Sequence, residues 1–296
     1  MNLLPMLAVR GQPFDSADYL FEVKWNGVRA LARSQPPGGW DLWGRDLADY
    51  RSRYPELQVL AALPPGTILD GELVLLSHGV PDLNAILARH QLSNPLKIGH
   101  ASRQQPVTYV VFDILAHQSR SLIGQPLQAR RAWLQDLLTR WGEPRVQFSE
   151  GIVGSGRSFF EQAVRQGQEG VMAKHLASRY LPGQRSSCWL KIKPARRLPC
   201  VIIGWDRGVC GLRGLLVAAP WNGPLRYVAN VRTGFTDQDR RRLPELLVRA
   251  RRRPVVCCPH RGLWVKPDLL CQVNYLEWTR AGRLRGASFR GLLAAS

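Results

Sequence analysis

The chain is short of lysine. Of its 41 basic residues 35 are arginine, and the six lysines stand at 24, 97, 174, 191, 193 and 266. Arginine stays charged, whereas a lysine can lose its proton and attack an electrophile, so lysines kept against this bias are candidates for chemistry. Long apolar runs are also missing. A stretch such as Tyr109 to Leu115 falls far below the roughly 18–20 residues that a bilayer span needs. Met1 to Arg10 lacks the basic and apolar regions of a secretory leader, and no lipidation motif or basic amphipathic anchor is evident, so a cytoplasmic protein is expected. The six cysteines form no CxxC pair and have no histidines at zinc spacing, although Cys257 and Cys258 are adjacent; they read as reduced thiols, most of them buried.

Acid is scarce as well. The 22 Asp+Glu leave a net charge of +19, and the excess runs through the whole chain, with 17 Lys+Arg against 6 Asp+Glu over residues 200–296. Such a surface gains free energy by releasing counterions from a polyanion, and without a membrane anchor the expected polyanion is nucleic acid.

A length of 296 residues favours two domains. Strand-like runs recur at 20–33, 68–76, 107–115, 170–174 and 188–192. Leu127 to Trp141 places Leu127, Trp133, Leu134, Leu137, Leu138 and Trp141 on one helical stripe, and Ser158 with Glu161 fits a capping box for a helix ending near Gly167. Two prolines bracket the basic run 194–199, the composition of a hinge. Beyond it, strand-like runs at 201–205, 215–219, 227–232 and 263–265 are separated by glycines, and Thr236 to Arg253 reads as a helix capped by Thr236 and Asp239 and interrupted by Pro244. The expected architecture is α+β: a domain of antiparallel sheets with helices over 1–195, and an oligonucleotide-binding (OB-fold) β-barrel over 200–296.

Lys24 follows the alternating Phe21-Glu22-Val23 and precedes Trp25-Asn26-Gly27, at a strand end beside a tight turn. That is a platform for a nucleophile able to attack the α-phosphorus of a nucleoside triphosphate, although on spacing alone an ordinary surface lysine is the favoured reading. Asp70 and Glu72 lie two apart on a strand and so share a face, where they could hold a ribose hydroxyl or a metal, or simply meet solvent. Phe112 ends an apolar strand, able to stack on a base or to pack in the core. Glu169 and Lys174 flank a short strand that opens with Gly170. Lys191 and Lys193 share a face of an apolar strand, fit to bind phosphate or to keep an edge soluble.

These runs in this order, together with Pro5-Met6-Leu7-Ala8, Gly44-Arg45-Asp46, Tyr54-Pro55-Glu56-Leu57, Trp264-Val265-Lys266-Pro267 and Tyr275-Leu276-Glu277-Trp278-Thr279, resemble the covalent nucleotidyltransferase superfamily. More closely, they resemble ATP-dependent DNA ligases like the ligase module of bacterial end-joining enzymes. The resemblance implies a nucleotidyltransferase (adenylation) domain in which Lys24 forms a lysyl-AMP, Glu22 reads the adenine amino group and Glu72 bonds the ribose. It places Phe112 and Val171 on the two faces of adenine, Lys191 and Lys193 on the AMP phosphate, and Arg29 and Arg45 on AMP or the nick phosphate. It implies Mg2+ (or Mn2+) near Glu72 and Glu169, and leaves Asp113 and Lys174 without a firm role. ATP is the implied cofactor, nicked or broken double-stranded DNA the implied partner, with DNA-end-binding or repair proteins beside it, and a monomer is expected. Arg240, Arg241, Arg251 and Arg252, in an arginine cluster that includes 242, 249 and 253, form a candidate phosphate-binding surface. With no polymerase or nuclease module in these residues and no DNA-binding domain ahead of Lys24, the grip on DNA is expected from the two domains or a partner.

Two features depart from the family pattern. Asn26 stands where the family has Asp, and Leu293 and Ala294-Ala295-Ser296 follow Arg290-Gly291-Leu292 where an Arg-x-Asp-Lys motif is expected. Both bear on the charging of Lys24, so an accessory protein that binds DNA ends with weak or lost adenylation is the alternative reading.

Overall fold

The structure is a computed structural model that describes residues 3–77, 79–208, 211–247, 250–251, 253–275, 277–279 and 281–293. It divides into two compact units, Met1–Lys193 and Pro194–Ser296. Among the described residues no helix is long and apolar enough to cross a membrane.

The first unit is built on two five-membered strand orders. One runs Leu7–Arg10, Arg185–Ile192, Val171–His175, Ser16–Val23, Gly151–Gly154; the other runs Val146–Phe148, Thr108–His117, Ile68–Val74, Val28–Gln35, Gly39–Trp43. Pairing is antiparallel except at the first pair of each order. Alternation along the strands divides the apolar residues among three cores. Leu31, Trp43, Phe112, Leu115 and Trp189 meet in one. Ala30, Ala32, Leu69, Val111 and Ile114 face another, with Leu134 and Leu138 of the helix Leu127–Trp141. Phe21, Val171, Ala173 and Ile192 form the third, with Ala163 of the helix Gly156–Arg165.

The ladder between Ile68–Val74 and Thr108–His117 is irregular at Phe112. Asp70 pairs with Asp113 but Gly71 pairs with Val111, so Phe112 is an extra residue in the ladder. The bulge switches the parity of the strand. Val111 and Ile114, three apart, enter the same core, and Phe112 is sent to the other.

The helices follow the apolar spacing with two corrections. Leu127–Trp141 forms as expected and ends on Gly142 in the left-handed conformation, but Trp133 is exposed, and the buried stripe takes in Arg130 and Arg131 between Leu127 and Leu134. The next helix starts at Gly156, two residues ahead of Ser158, whose hydroxyl donates to Ser155 O instead of capping.

The second unit has its core around Ile202, Leu215, Val217, Val228, Val231, Val273 and Phe289. Among the described residues its main sheet does not close into a barrel, contrary to the expectation of an OB-fold. The order runs Leu225–Val231, Gly211–Pro220, Arg196–Gly208 and then forks, because the long Arg196–Gly208 strand takes two partners in succession along its length. Residues 196–201 pair with Leu270–Tyr275, which carries Ser288–Leu292, and residues 204–205 pair with Leu263–Val265, which carries Ala250–Arg251. A backbone bond from Phe289 N–H to Thr233 O (2.8 Å) touches across the gap without a ladder. The Thr236–Asp239 capping box is present, and its helix Asp237–Leu246 ends two residues after Pro244, well short of Arg253.

Arg130 and Asp113 form a two-pronged ion pair (2.7 and 2.8 Å) with both side chains fully buried. Removing one partner of such a pair leaves an uncompensated charge, so Asp113→Ala is expected to lower unfolding free energy by about 3–5 kcal/mol. Arg140→Ala, which breaks the exposed pair to Asp136, is expected to change it by less than about 1 kcal/mol. Denaturant unfolding of both variants measures the contrast.

Candidate active site

Strand register brings the lysines together. Val171 lies opposite both Val23 and Ile192, so Lys24, Glu169-Gly170 and Lys193 leave their three strands side by side. Lys24 N–H donates to Gly170 O (2.9 Å), which fixes the nucleophile candidate to the end of the sheet. Gly170 is required there. Its φ is +142°, and a Cβ would come 2.1 Å from Ile192 O. Gly27 closes the turn on the other side, where a Cβ would lie 2.2 Å from Leu73 O. Trp25 is tied down by its indole N–H on Ser149 Oγ (2.9 Å).

These strand ends border a cleft of about 600 Å³ within the first unit. Alternation lays Glu22, Met172 and Lys191 in one row across its wall, with Lys174 and Trp189 in the next. Glu72 and Arg29 line it from the second sheet, with Phe112 on the bulge; Arg45, Asp46, Tyr50 and His90 lie along it too.

Carboxylates organise the cations. Glu169 bridges Lys24 and Lys193, one to each oxygen. Burial alone would raise Glu169, but the two ammonium groups outweigh it and hold its carboxyl below the usual range. Glu22 binds Lys174 through one oxygen and Arg131 through the other (3.0 Å). Lys174 is fully buried, and that burial holds its ammonium below the usual lysine range despite Glu22. It also lies 4.0 Å from the Phe112 ring centre and 4.3 Å from that of Trp189. Asp70 grips the Arg29 guanidinium with two bonds of 2.6 Å and accepts a third, also 2.6 Å, from Tyr180. Burial would lower Arg29, yet Asp70 holds it still higher. Lys191 is held low by burial and then by the charges of Arg185, Lys193, Lys24 and Arg10. Burial pushes Glu72 up to about 7 in spite of Arg29 and Lys24 nearby.

A pocket with an amine at a strand end, a cluster of cations for phosphate and an aromatic ring on one wall is built for a nucleotide. Comparison with known proteins decides the family. Residues 5–193 match the family described as "ATP dependent DNA ligase domain" and residues 210–294 the "ATP dependent DNA ligase C terminal region". The chain belongs to the ATP-dependent DNA ligase family. It is 33% identical to the multifunctional non-homologous end joining DNA repair protein LigD of Mycobacterium tuberculosis over 98% of its own length, and 33% identical to the LigD of Pseudomonas aeruginosa over 98%. It spans 38% and 35% of the lengths of those relatives. The solved ligase domain from M. tuberculosis LigD is 32% identical, with a TM-score of 0.61 over 99% of this chain and 95% of that one. A mycobacterial DNA ligase D complexed with ATP and MES is also 32% identical, with a TM-score of 0.57 over 100% and 96%.

The residues that the ligase resemblance singles out do not all lie where it implies. Lys24, Glu22, Arg29, Arg45, Glu72, Phe112, Glu169, Lys191 and Lys193 line the one cleft. Val171 does not: it is fully buried against Phe21 and Ile192, and Met172, one residue on and so on the opposite face of the strand, takes its place on the cleft wall. Arg29 has its guanidinium committed to Asp70, and Asp70 is sealed away from the cleft with no exposed surface. Asp113 and Arg130 belong to the buried framework. In the second unit Arg240 spends its guanidinium on Leu212 O (2.7 Å) and the Phe235 ring, whereas Arg241 and Arg251 are exposed; Arg249 and Arg252 lie outside the described residues. Arg131, which reaches Glu22 from a helix, is a residue that motif reading misses. Two arginines in the buried stripe of an amphipathic helix were the signal available.

Among the described residues no group of three or more His, Cys, Asp or Glu gathers as a metal cage. Mg2+ is ordinarily held by one or two carboxylates together with substrate phosphates and water. Glu169 and Glu72, both on the cleft, fit that requirement.

An acid whose pKa rises on folding takes up protons between its unfolded and folded values, so its contribution to stability is full below about 4.5 and is lost as pH rises through about 7. The melting temperature of the native chain relative to Glu72→Gln is therefore expected to fall between pH 5 and pH 8, with roughly 2–4 °C for each kcal/mol. A difference that stays flat across this range counts against a raised Glu72.

Proposed function

We propose that this chain is an ATP-dependent DNA ligase that seals nicks or ends in DNA repair through a lysyl-AMP and then a DNA-adenylate. The observation that carries the reading is the alignment of Lys24, Glu169 and Lys193 at adjacent strand ends on a cleft that Phe112 and Met172 also line. The Lys24 amine attacks the α-phosphorus of ATP and pyrophosphate leaves. AMP then passes to the 5′ phosphate of a nick, and the neighbouring 3′ hydroxyl attacks that phosphate and expels AMP.

Each residue of the cleft has a part in this reading. Lys191 and Lys193 hold the AMP phosphate, with Arg45 on AMP or the nick phosphate. Arg29, locked on Asp70, presents a fixed charge to it. Glu22 faces the adenine amino group, Glu72 the ribose, and Phe112 and Met172 the base. Glu169, released from its bridge, is the carboxylate beside Lys24. Mg2+ held by Glu169 and Glu72 would supply neutralisation of phosphate charge. Nicked or broken duplex DNA is the substrate, gripped through the +19 surface with Arg241 and Arg251 contributing from the second unit; repair proteins are the expected company, and a swing of that unit about Pro194 and Ala195, the part of the expected 194–199 hinge that lies ahead of the paired strand Arg196–Gly208, would let it act on both ATP and DNA. Against lost adenylation stands the assembly of Lys24, Glu169, Lys191 and Lys193 on one cleft; Asn26, which departs from the family pattern, lies there too.

Incubation with α-labelled ATP and Mg2+ tests the reading. The native chain is expected to take label in an acid-labile, alkali-stable bond and to seal a nicked duplex; Lys24→Ala is expected to take none. Absence of label in the native chain would overturn it. Asn26 lies on the cleft, and restoring the family carboxylate with Asn26→Asp is expected to speed labelling by up to about tenfold, about 1.4 kcal/mol of barrier, measured in single-turnover reactions.

A further inference from the structure

Arg131 does not line the cleft, yet it is bonded to both features there that would define a base. One terminal nitrogen donates to Glu22 Oε2 (3.0 Å) and to Phe112 O (3.2 Å), the other to Ser149 O (2.6 Å), and the guanidinium lies 4.3 Å from the Phe148 ring centre. It reaches them from the buried side of the helix Leu127–Trp141. Phe112 is the bulged residue, so the bond to its carbonyl pins the strand at the point where its ladder breaks step.

We propose that Arg131 is a positioning residue that sets the choice of base, by fixing Glu22 as a two-sided hydrogen-bond acceptor and holding the Phe112 bulge beside it. The proposal rests on the reading that Glu22 faces the base. A carboxylate gripped by Lys174 on one oxygen and Arg131 on the other cannot turn, and as the acid member of both ion pairs it offers acceptors only. Its remaining lone pairs accept from a 6-amino group. They meet a 6-oxo group with acceptor against acceptor, an arrangement that polar sites reject strongly. Lys174 alone would leave the second oxygen unheld. The planar fork of arginine can span Glu22 and the two backbone carbonyls at once; a lysine at 131 cannot.

The test compares ATP with inosine triphosphate, which carries a 6-oxo group in place of the 6-amino group. Affinities are measured by calorimetry in a Lys24→Ala background, where no covalent step intervenes, and kcat and KM for labelling are measured with Lys24 intact. Glu22→Gln and Arg131→Gln are each expected to lower the ATP to inosine triphosphate affinity ratio about tenfold or more, with the loss falling on KM rather than kcat. The double variant is expected to lose no more than Glu22→Gln alone, the non-additivity of two residues acting as a unit. Arg131→Lys, which keeps the charge and carries the test if Arg131→Gln does not fold, is expected to lose part of the ratio. If the Arg131 variants keep the ratio while Glu22→Gln loses it, Arg131 is a structural residue only and the proposal is overturned. If Glu22→Gln itself keeps the ratio, Glu22 does not read the base and the proposal falls with that reading.

Discussion

Cations can be crowded into one cleft only if something offsets their repulsion, and here three carboxylates do so in pairs. Glu169 takes Lys24 and Lys193, Glu22 takes Lys174 and Arg131, and Asp70 takes Arg29 together with the Tyr180 hydroxyl. Each carboxylate joins groups from different elements, so each also sets how those elements meet. Glu22 ties the helix Leu127–Trp141 to the strand that leads into Lys24, and Asp70 ties one sheet to Tyr180 in the segment before Arg185–Ile192. The charge balance and the placement of the strands are one arrangement.

The strands that bear the motifs were largely legible, because runs such as Ile68–Val74 and Arg185–Ile192 combine apolar composition with residues two apart on one face. Pattern reading erred where geometry depends on neighbours that a local window does not contain. Which face of Val171–His175 meets the cleft follows from its register with Val23 and Ile192, and the linear motif cannot tell Val171 from Met172. The bulge at Phe112 is equally invisible, since its existence depends on a strand some forty residues away. Closure of the second unit was inferred from strand count and glycine spacing, neither of which records that Arg196–Gly208 has two successive partners.

Buried charge marks the boundary between the cleft and the frame that supports it. Asp113 with Arg130 and Asp70 with Arg29 both involve motif positions, and both are bidentate, but the first pair has no exposed surface while Arg29 retains some on the cleft. Motif membership therefore mixes residues that can touch a ligand with residues that hold the others still. The distinction follows from which side of a strand or helix each occupies, and it is the reason that Arg131, outside every motif, is the arginine bonded to Glu22.

The Glu169 bridge has a consequence for the life of the cleft between visits of a ligand. One carboxylate offsets only part of the charge of its two lysines, so the pocket stays positive without being a bare hole, and an arriving phosphate has to compete with a tethered anion. Occupation by a phosphate would thus exchange one negative partner of the two lysines for another. Once the phosphate left, the Glu169 side chain would be at hand to pair with both lysines again, a counterion that the protein carries with it.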